Sequence, residues 1–427
     1  MSYDVKNIKT LEGIEAIRMR AGMYIGSTGY DGVKHITLEI ISNAVDEYMN
    51  GYCDKIIINI NDTGDICIID NGRGVPFGKA EDGTETLENV FTKLHTGAKF
   101  DEAGKAGYNS SGGLNGIGSK ATNALSEYFA VTSIRDGKIA HMEFKEGKRI
   151  SYEIKDYPKN YKYQQGTVIT FKPDKKIFKE EFILKYEDLK TMVKELSYLC
   201  PGLTFELAYN EKEIETIQSS HGVIDYVNDL NKNKTTLTSV FYTETKEDRI
   251  GIQLAMQYNN TYSDVYKIYT NSIPNSGGTH LTGFRTALTQ QVNEYARKHK
   301  LLKEKDNNIT GEELKEGLTL VLSFIMPDPV FSGQTKDVLT SSEGRTIVQR
   351  LVSEKLAVWL ERNPKDAKAI IEKALLARKA KEKAKKAKEA VRKVETKSNR
   401  LLNLPTKLVD CWSKDREKCE LLIAEGK

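Results

Sequence analysis

HITLEIISNAVDEYMN at residues 35–50 and DNGRGVP at residues 70–76 decide how this chain folds. Val33, Ile36, Ile40, Ala44, Val45 and Tyr48 recur at helical spacing, which predicts an amphipathic helix ended by Gly51. At about 100° per residue, His35, Glu39, Asn43 and Asp46 fall on one stripe opposite the apolar face. A polar stripe of this kind can simply face water, because every amphipathic helix has a polar side. Its neighbours give it meaning.

Downstream, KIIINI at 55–60 and DICIID at 65–70 flank the turn-forming NDTG, and the pattern predicts a hairpin. Asp70 ends the second β-run, Gly72 and Gly74 let the backbone turn, and Pro76 fixes its exit. The turn leaves a carboxylate at a rim, where it can accept a hydrogen bond from an exocyclic amine such as that of adenine. An ordinary Asx turn would carry the same residues. Between Thr92 and Gly118 small and polar residues replace any periodic pattern, so a functional, mobile loop is expected there. It ends in YNSSGGLNGIGSK ahead of ATNALSEYF, read as helical, and backbone amides at such a junction suit phosphate. Ser119 separates Gly118 from Lys120, so the loop is not a Walker motif. GTVITFKPD from Gly166 reads as a further strand that closes the first sheet.

The remaining chain bounds the class. At 427 residues with 39% hydrophobic and 29% charged residues, two or three soluble domains are expected. Five cysteines without a CxxC pair suggest neither a zinc site nor a disulfide framework. No apolar run has the length of a signal core or a bilayer span, so no membrane partner and a cytoplasmic location are expected. A second α/β domain is predicted after about residue 220, with a strand KIYTN, a loop PNSGG and a helix HLTGFRTALTQQVNEYARKH. From Asp366 to about Arg400 the chain lacks Gly and Pro and reads as a long helix. Over 365–400 it carries fourteen Lys or Arg against five Asp or Glu, a stripe able to meet phosphates, although charged helix faces are often only solvated.

The order E(x3)N(x2)DE, DNGRGVP, GGLNGIG and then GT entering a strand resembles the GHKL ATPases. More closely, YDVKNIKTLEGIEAIRMRAGMYIGST, TKLHTGAKFD, GGTHLTGFRTALT and PDPVFSGQTKD resemble the ATPase subunits of type IIA DNA topoisomerases, the gyrase B and topoisomerase IV B proteins, nearly end to end. Hsp90-type chaperones and MutL-type clamps share the pocket motifs but lack the GGTHLTGFR and QTKD blocks. A DNA-binding protein without turnover fits poorly with the presence of Glu39, Asn43, Asp70, Lys99 and Lys336.

The resemblance implies an α+β chain: a GHKL (Bergerat) ATPase α/β sandwich with an N-terminal dimerisation arm at 1–219, and a ribosomal-S5-like α/β transducer at 220–400 ending in the long basic helix. At 401–427 it implies a linker into a truncated TOPRIM domain, with Lys427 where relatives have Asp. A fragment or a natural split subunit of phage type both fit that ending. Glu39 is implied as the general base toward the γ-phosphate of ATP, oriented by His35, with Asn43 holding Mg²⁺. Asp70 and Thr167 would read adenine, Arg73, Gly74, Val75 and Pro76 would line the base pocket, and Glu47 would pair with Arg73. Lys99 and Tyr108 belong to the lid, and Gly113, Leu114, Asn115, Gly116, Ile117 and Gly118 would wrap the triphosphate. Asn115 stands where gyrase B proteins usually carry His, so a phosphate contact survives there without titration. Gln334 and Lys336 would reach the γ-phosphate from the second domain, and Tyr3 and Ile8 would touch the partner's nucleotide pocket in an ATP-dependent homodimer. The implied partners are double-stranded DNA, a DNA-cleaving subunit with the remaining TOPRIM part, and aminocoumarin inhibitors acting at Asp70 and Arg135.

Overall fold

The computed structural model describes residues 13–94, 96, 116–158, 164–179, 182–247, 249–333, 336–402, 413 and 415–424. By internal contacts the chain divides into a unit of residues 1–371 and a second of residues 372–427. In order, the first lobe of the larger unit contains α1 (Gly13–Met19), α2 (Ala21–Ile25), α3 (Tyr30–Met49), β1 (Lys55–Ile60), β2 (Ile66–Asp70), α4 (Thr86–Thr92) and α5 (Gly118–Ala124). There follow β3 (Ser126–Arg135), β4 (Lys138–Lys145), β5 (Lys148–Asp156), β6 (Gly166–Pro173), α6 (Lys175–Phe178), α7 (Tyr186–Leu199), β7 (Thr204–Tyr209) and β8 (Lys212–Ile217).

These strands form one eight-stranded sheet, ordered β5-β4-β3-β6-β2-β1-β7-β8. β1 and β2 pair as the expected hairpin, with Ile60 opposite Ile66. Two expectations are corrected. β6 does not close the sheet but lies inside it, between β3 and β2. SEYF is not helical: α5 stops at Ala124, and the chain from Ser126 enters β3, which pairs with β6 from Ser126 and with β4 from Phe129.

α3 forms because Val33, Ile36, Ile40, Ile41, Ala44 and Val45 share one buried face. They join a core with Ile56, Ile58, Ile66, Ile68, Phe129 and Phe171. Each Val, Ile or Phe among them contributes roughly 1.5–3 kcal/mol relative to exposure. The helix ends where the Asn50 side-chain amide donates to Asp46 O at 2.7 Å and Gly51 turns left-handed at φ +83°. Asp46, expected on the open polar stripe, is 1% exposed, so the stripe facing outward is His35, Glu39 and Asn43.

The second lobe begins with α8 (Val223–Asn231) and continues through β9 (Phe241–Glu247), β10 (Ile250–Tyr258), β11 (Val265–Thr270), β12 (Ile273–Asn275) and β13 (Gly277–Gly278). It is completed by α9 (Thr279–Lys298), β14 (Leu318–Ile325), β15 (Val338–Leu339) and α10 (Ser342–Arg362). β12-β11-β14-β10-β9 make a five-stranded sheet, and β13 pairs separately with β15. LTLVLSFI is almost wholly buried as a strand covered on both faces. α9 packs along α10, and at the crossing a Cβ on Gly283 would overlap the Arg345 carbonyl. Glycine in GGTHLTGFR therefore sets that approach. Lys267 and Tyr269 of β11 reach Glu195 of α7 at 2.5 and 3.1 Å, joining the lobes beside the stacked Tyr198 and Tyr226.

α11 (Pro364–Leu402) is the predicted long helix, and its Lys381, Lys383, Lys385, Lys386 and Lys388 are exposed. No described helix is long and apolar enough to cross a membrane.

His280 lies at the start of α9 with no exposed surface, its ring 6.0 Å from that of Phe324, and neither ring nitrogen has a hydrogen-bond partner. Burial pushes its imidazole down to about 4. As pH falls from the free-histidine value of about 6.5, the unfolded chain takes up a proton that the folded chain refuses. This part of the stability is therefore intact above that value and declines below it, by up to about 1.4 kcal/mol per pH unit. Urea unfolding of parent and His280→Phe between pH about 7.5 and about 5 checks this, and the variant should show the shallower pH slope.

Candidate functional site

Several side chains singled out by the sequence meet in a cleft between α3, the start of α5 and a loop of the second lobe. Its walls include His35, Glu39, Asn43, Gly116, Ile117, Gly118 and Lys336. Helical spacing brings His35 Nε2 to 3.7 Å from Glu39 Oε1. Lys336 Nζ lies 3.8 Å from the same oxygen although its side chain is only 9% exposed. At these separations the carboxylate is attracted to its neighbours without direct hydrogen bonds to them, leaving its oxygens able to accept a hydrogen bond from a bound molecule. Gly118 presses its backbone against Glu39, and a Cβ there would overlap the Glu39 carboxylate. Thr122 Oγ1 donates to Ile36 O at 3.0 Å and ties α5 to α3.

A second cluster surrounds the end of β2. Asp70 faces Thr167 across the β2–β6 pair. Gly166 makes that pairing possible: at φ +130° its α-carbon lies so close to the Asp70 carbonyl that any Cβ would overlap it. The Asp70 carboxylate accepts from Gly72 N at 2.9 Å. Burial pushes its carboxyl up to about 7, with Glu47 adding to the rise and the bonds from Gly72 and Thr167 opposing it. Gly74 turns at φ +74°, where a Cβ would lie 2.7 Å from Ile134 O.

Arg73 does not point freely into a pocket. It forks onto Glu47 through Nε and NH2, both at 2.9 Å, and lies over the Tyr52 ring at 3.9 Å. Val75 O accepts from Ser133 Oγ at 2.6 Å and Gly72 O from Gln165 Nε2 at 2.9 Å, so the turn is pinned on two sides. Arg135 bonds Gly74 O at 3.3 Å and Asp136 at 2.9 Å. α3 carries residues of both clusters: Glu39 and Asn43 stand in the cleft, and Glu47, two turns later, holds Arg73. Tyr3, Ile8, Lys99, Tyr108, Gly113, Leu114, Asn115 and Gln334 lie outside the described residues.

In the sequence, Lys120 serves only to exclude a Walker loop. Its side chain is buried to 1% exposure, and Nζ donates to Thr96 O at 2.8 Å, fastening the chain after α4 to α5. GSKATNA carries no apolar pattern that marks this burial in advance.

The family descriptions that match fall on the two lobes. "Histidine kinase-, DNA gyrase B-, and HSP90-like ATPase" covers residues 28–177, and "DNA gyrase B" covers residues 222–390. The DNA gyrase B protein of Enterococcus faecalis is 42% identical over 430 residues, which is 99% of this chain and 66% of that protein. The crystal structure of the 43K ATPase domain of Thermus thermophilus gyrase B, in complex with an aminocoumarin, matches with a TM-score of 0.69 and 33% identity over 88% of this chain and 98% of that one. The chain belongs to the DNA gyrase B family. A topoisomerase IV ATP-binding domain from Francisella tularensis, in complex with a small-molecule inhibitor, matches with a TM-score of 0.71 and 27% identity over 87% of this chain and 98% of that one.

As a gyrase B relative, the chain has a GHKL ATPase fold around the eight-stranded sheet and a transducer fold around the five-stranded one. The match over 222–390 separates it from the Hsp90-type and MutL-type alternatives. It spans just under two thirds of the length of the curated gyrase B relatives it matches.

Proposed function

We propose that this chain is the ATP-hydrolysing clamp of a type IIA DNA topoisomerase. The observation that carries the reading is the meeting of Glu39, from the ATPase lobe, with Lys336, from the transducer lobe, in one cleft. A molecule bound there touches both lobes, so its cleavage can change their relation.

In this mechanism Asp70 accepts a hydrogen bond from the adenine amine and Thr167 supports it. Arg73, Gly74, Val75 and Pro76 shape the base site, with Glu47 holding Arg73 in place. The amides of 113–118 receive the phosphates, and Lys99 and Tyr108 close over phosphate and adenine. Glu39 takes a proton from the water that attacks the γ-phosphate, and His35 orients the carboxylate. Lys336, with Gln334 beside it, offsets the charge that develops on the transferred group.

Among the described residues no group of three His, Cys, Asp or Glu side chains could form a metal centre. The single hard oxygen of Asn43 on the cleft wall fits Mg²⁺, which is usually held largely by substrate phosphates and water. When bound, the ion neutralises phosphate charge.

The functional domains proposed are 1–219, 220–400 and 401–427. Nucleotide binding would pair two copies through Tyr3 and Ile8 and close them around double-stranded DNA. Cutting and resealing would need a DNA-cleaving subunit acting together with a TOPRIM domain. The Thermus relative was solved with an aminocoumarin, and Asp70 with Arg135 would receive such a compound here.

Glu39→Gln should bind a non-hydrolysable ATP analogue as the parent does and lose roughly 10²- to 10⁴-fold in turnover. Steady-state rates with calorimetric titration check it, and parental turnover removes Glu39 from the role. Light scattering with the analogue tests the pairing, which a persistent monomer would exclude.

Asp70 sets a pH dependence. Accepting the adenine amine favours its ionised form, so binding expels a proton below pH about 7. Affinity should therefore rise with pH and level off above that value. Asp70→Asn should bind more weakly and without that rise, and a flat parental profile would remove Asp70 from adenine recognition.

Neutralising Lys381, Lys383, Lys385, Lys386 and Lys388 together should weaken DNA binding and flatten its salt dependence, each lost phosphate contact reducing the log–log slope by about 0.9. An unaltered slope would leave α11 a solvated helix face.

A further inference from the structure

Lys336 sits in the left-handed region, with φ +59°. A residue with a Cβ stays there only when its surroundings hold it. Its own N–H donates to Gly333 O at 3.1 Å, a bond within its loop. Its carbonyl oxygen accepts from the side-chain amide of Asn275, Nδ2 to O 2.8 Å, at the end of β12. The far end of that amide is fixed as well, because Thr270 Oγ1 donates to Asn275 Oδ1 at 2.6 Å.

Thr270 is fully buried at the end of β11, which pairs with the central β14. The amide thus ties the loop to the sheet rather than to another loop. The same grip continues for two residues: Ser276 N donates to Asp337 O at 2.8 Å, and Gly277 pairs with Val338. Asn275 itself does not line the cleft.

We propose that Asn275 is a positioning residue for Lys336: its amide fixes the backbone from which the lysine ammonium reaches Glu39 in the other lobe. The inference rests on the reading of Lys336 given under Proposed function. Without the amide, Lys336 relaxes toward negative φ, its Cα–Cβ bond swings, and the ammonium leaves the γ-phosphate position. A displacement of about 1 Å is enough to cost up to roughly 100-fold in rate.

The test is a double-variant cycle in the full chain with Asn275→Ala, Lys336→Ala and the pair. It reads ATP turnover, binding of a non-hydrolysable ATP analogue, and thermal unfolding. Asn275→Ala should bind the analogue like the parent, lose roughly 10- to 100-fold in turnover, and cost nothing further once Lys336 is alanine. Losses that multiply in the double variant overturn the proposal, since Asn275 would then act independently of Lys336. Undiminished turnover in Asn275→Ala overturns it too. Should Asn275→Ala fail to fold, Thr270→Val releases only the far end of the amide and enters the same cycle, with a smaller loss expected and the same criterion. Parental turnover in Lys336→Ala would instead overturn the role of the lysine itself. A fallen Lys336→Ala rate beside an independent Asn275 loss removes the positioning role alone.

Discussion

The Glu39 carboxylate is bounded by the His35 imidazole, the Lys336 ammonium and the backbone of Gly118. Each neighbour comes from a different part of the architecture: the same helix, a loop of the second lobe, and the start of α5. Holding an ammonium with 9% side-chain exposure near a carboxylate is not a strong source of stability, because desolvating both charges offsets most of their attraction. An apolar pair would serve a purely structural contact as well. In the proposed function the charges serve a highly charged substrate, and the framework around them keeps them placed.

α3 is central to that framework. Its apolar face is locked onto the core, which leaves no freedom to rotate the outward residues. One rigid rod therefore sets Glu39 and Asn43 in the cleft and Glu47 beneath the turn after β2. The glycines around it are spatial requirements at particular points: Gly118 against Glu39, and Gly166 against the Asp70 carbonyl. In the second lobe the equivalent work falls to a strand pair and an amide, since Lys336 stands on an irregular loop in a backbone region it does not favour.

Much of this is legible in the sequence. The helical period around Glu39, the β1–β2 hairpin, the glycine turn after Asp70 and the long basic helix follow from spacing and from residue types whose backbone preferences are local. The pairing of Glu47 with Arg73 is implied by family resemblance, and the forked geometry is present. Local pattern fails where neighbours decide. SEYF becomes a strand because β6 pairs along it and β4 joins at Phe129, and β6 lies inside the sheet rather than at its edge. Asp46 shares the helical angle of the polar stripe yet is buried, since an angle on a wheel does not record how far the protein extends around it.

The sequence by itself determined the family and singled out the residues proposed to carry its chemistry, because motif order and residue type are properties of the chain before it folds. Only the tertiary structure decided that Lys336 stands 3.8 Å from Glu39, that Lys120 is buried and bonded to Thr96, and that Asn275 with Thr270 holds the lysine loop. The physical reason is that these contacts join segments far apart in the chain. Their geometry is set by how two sheets pack, and neither periodicity nor composition encodes that distance.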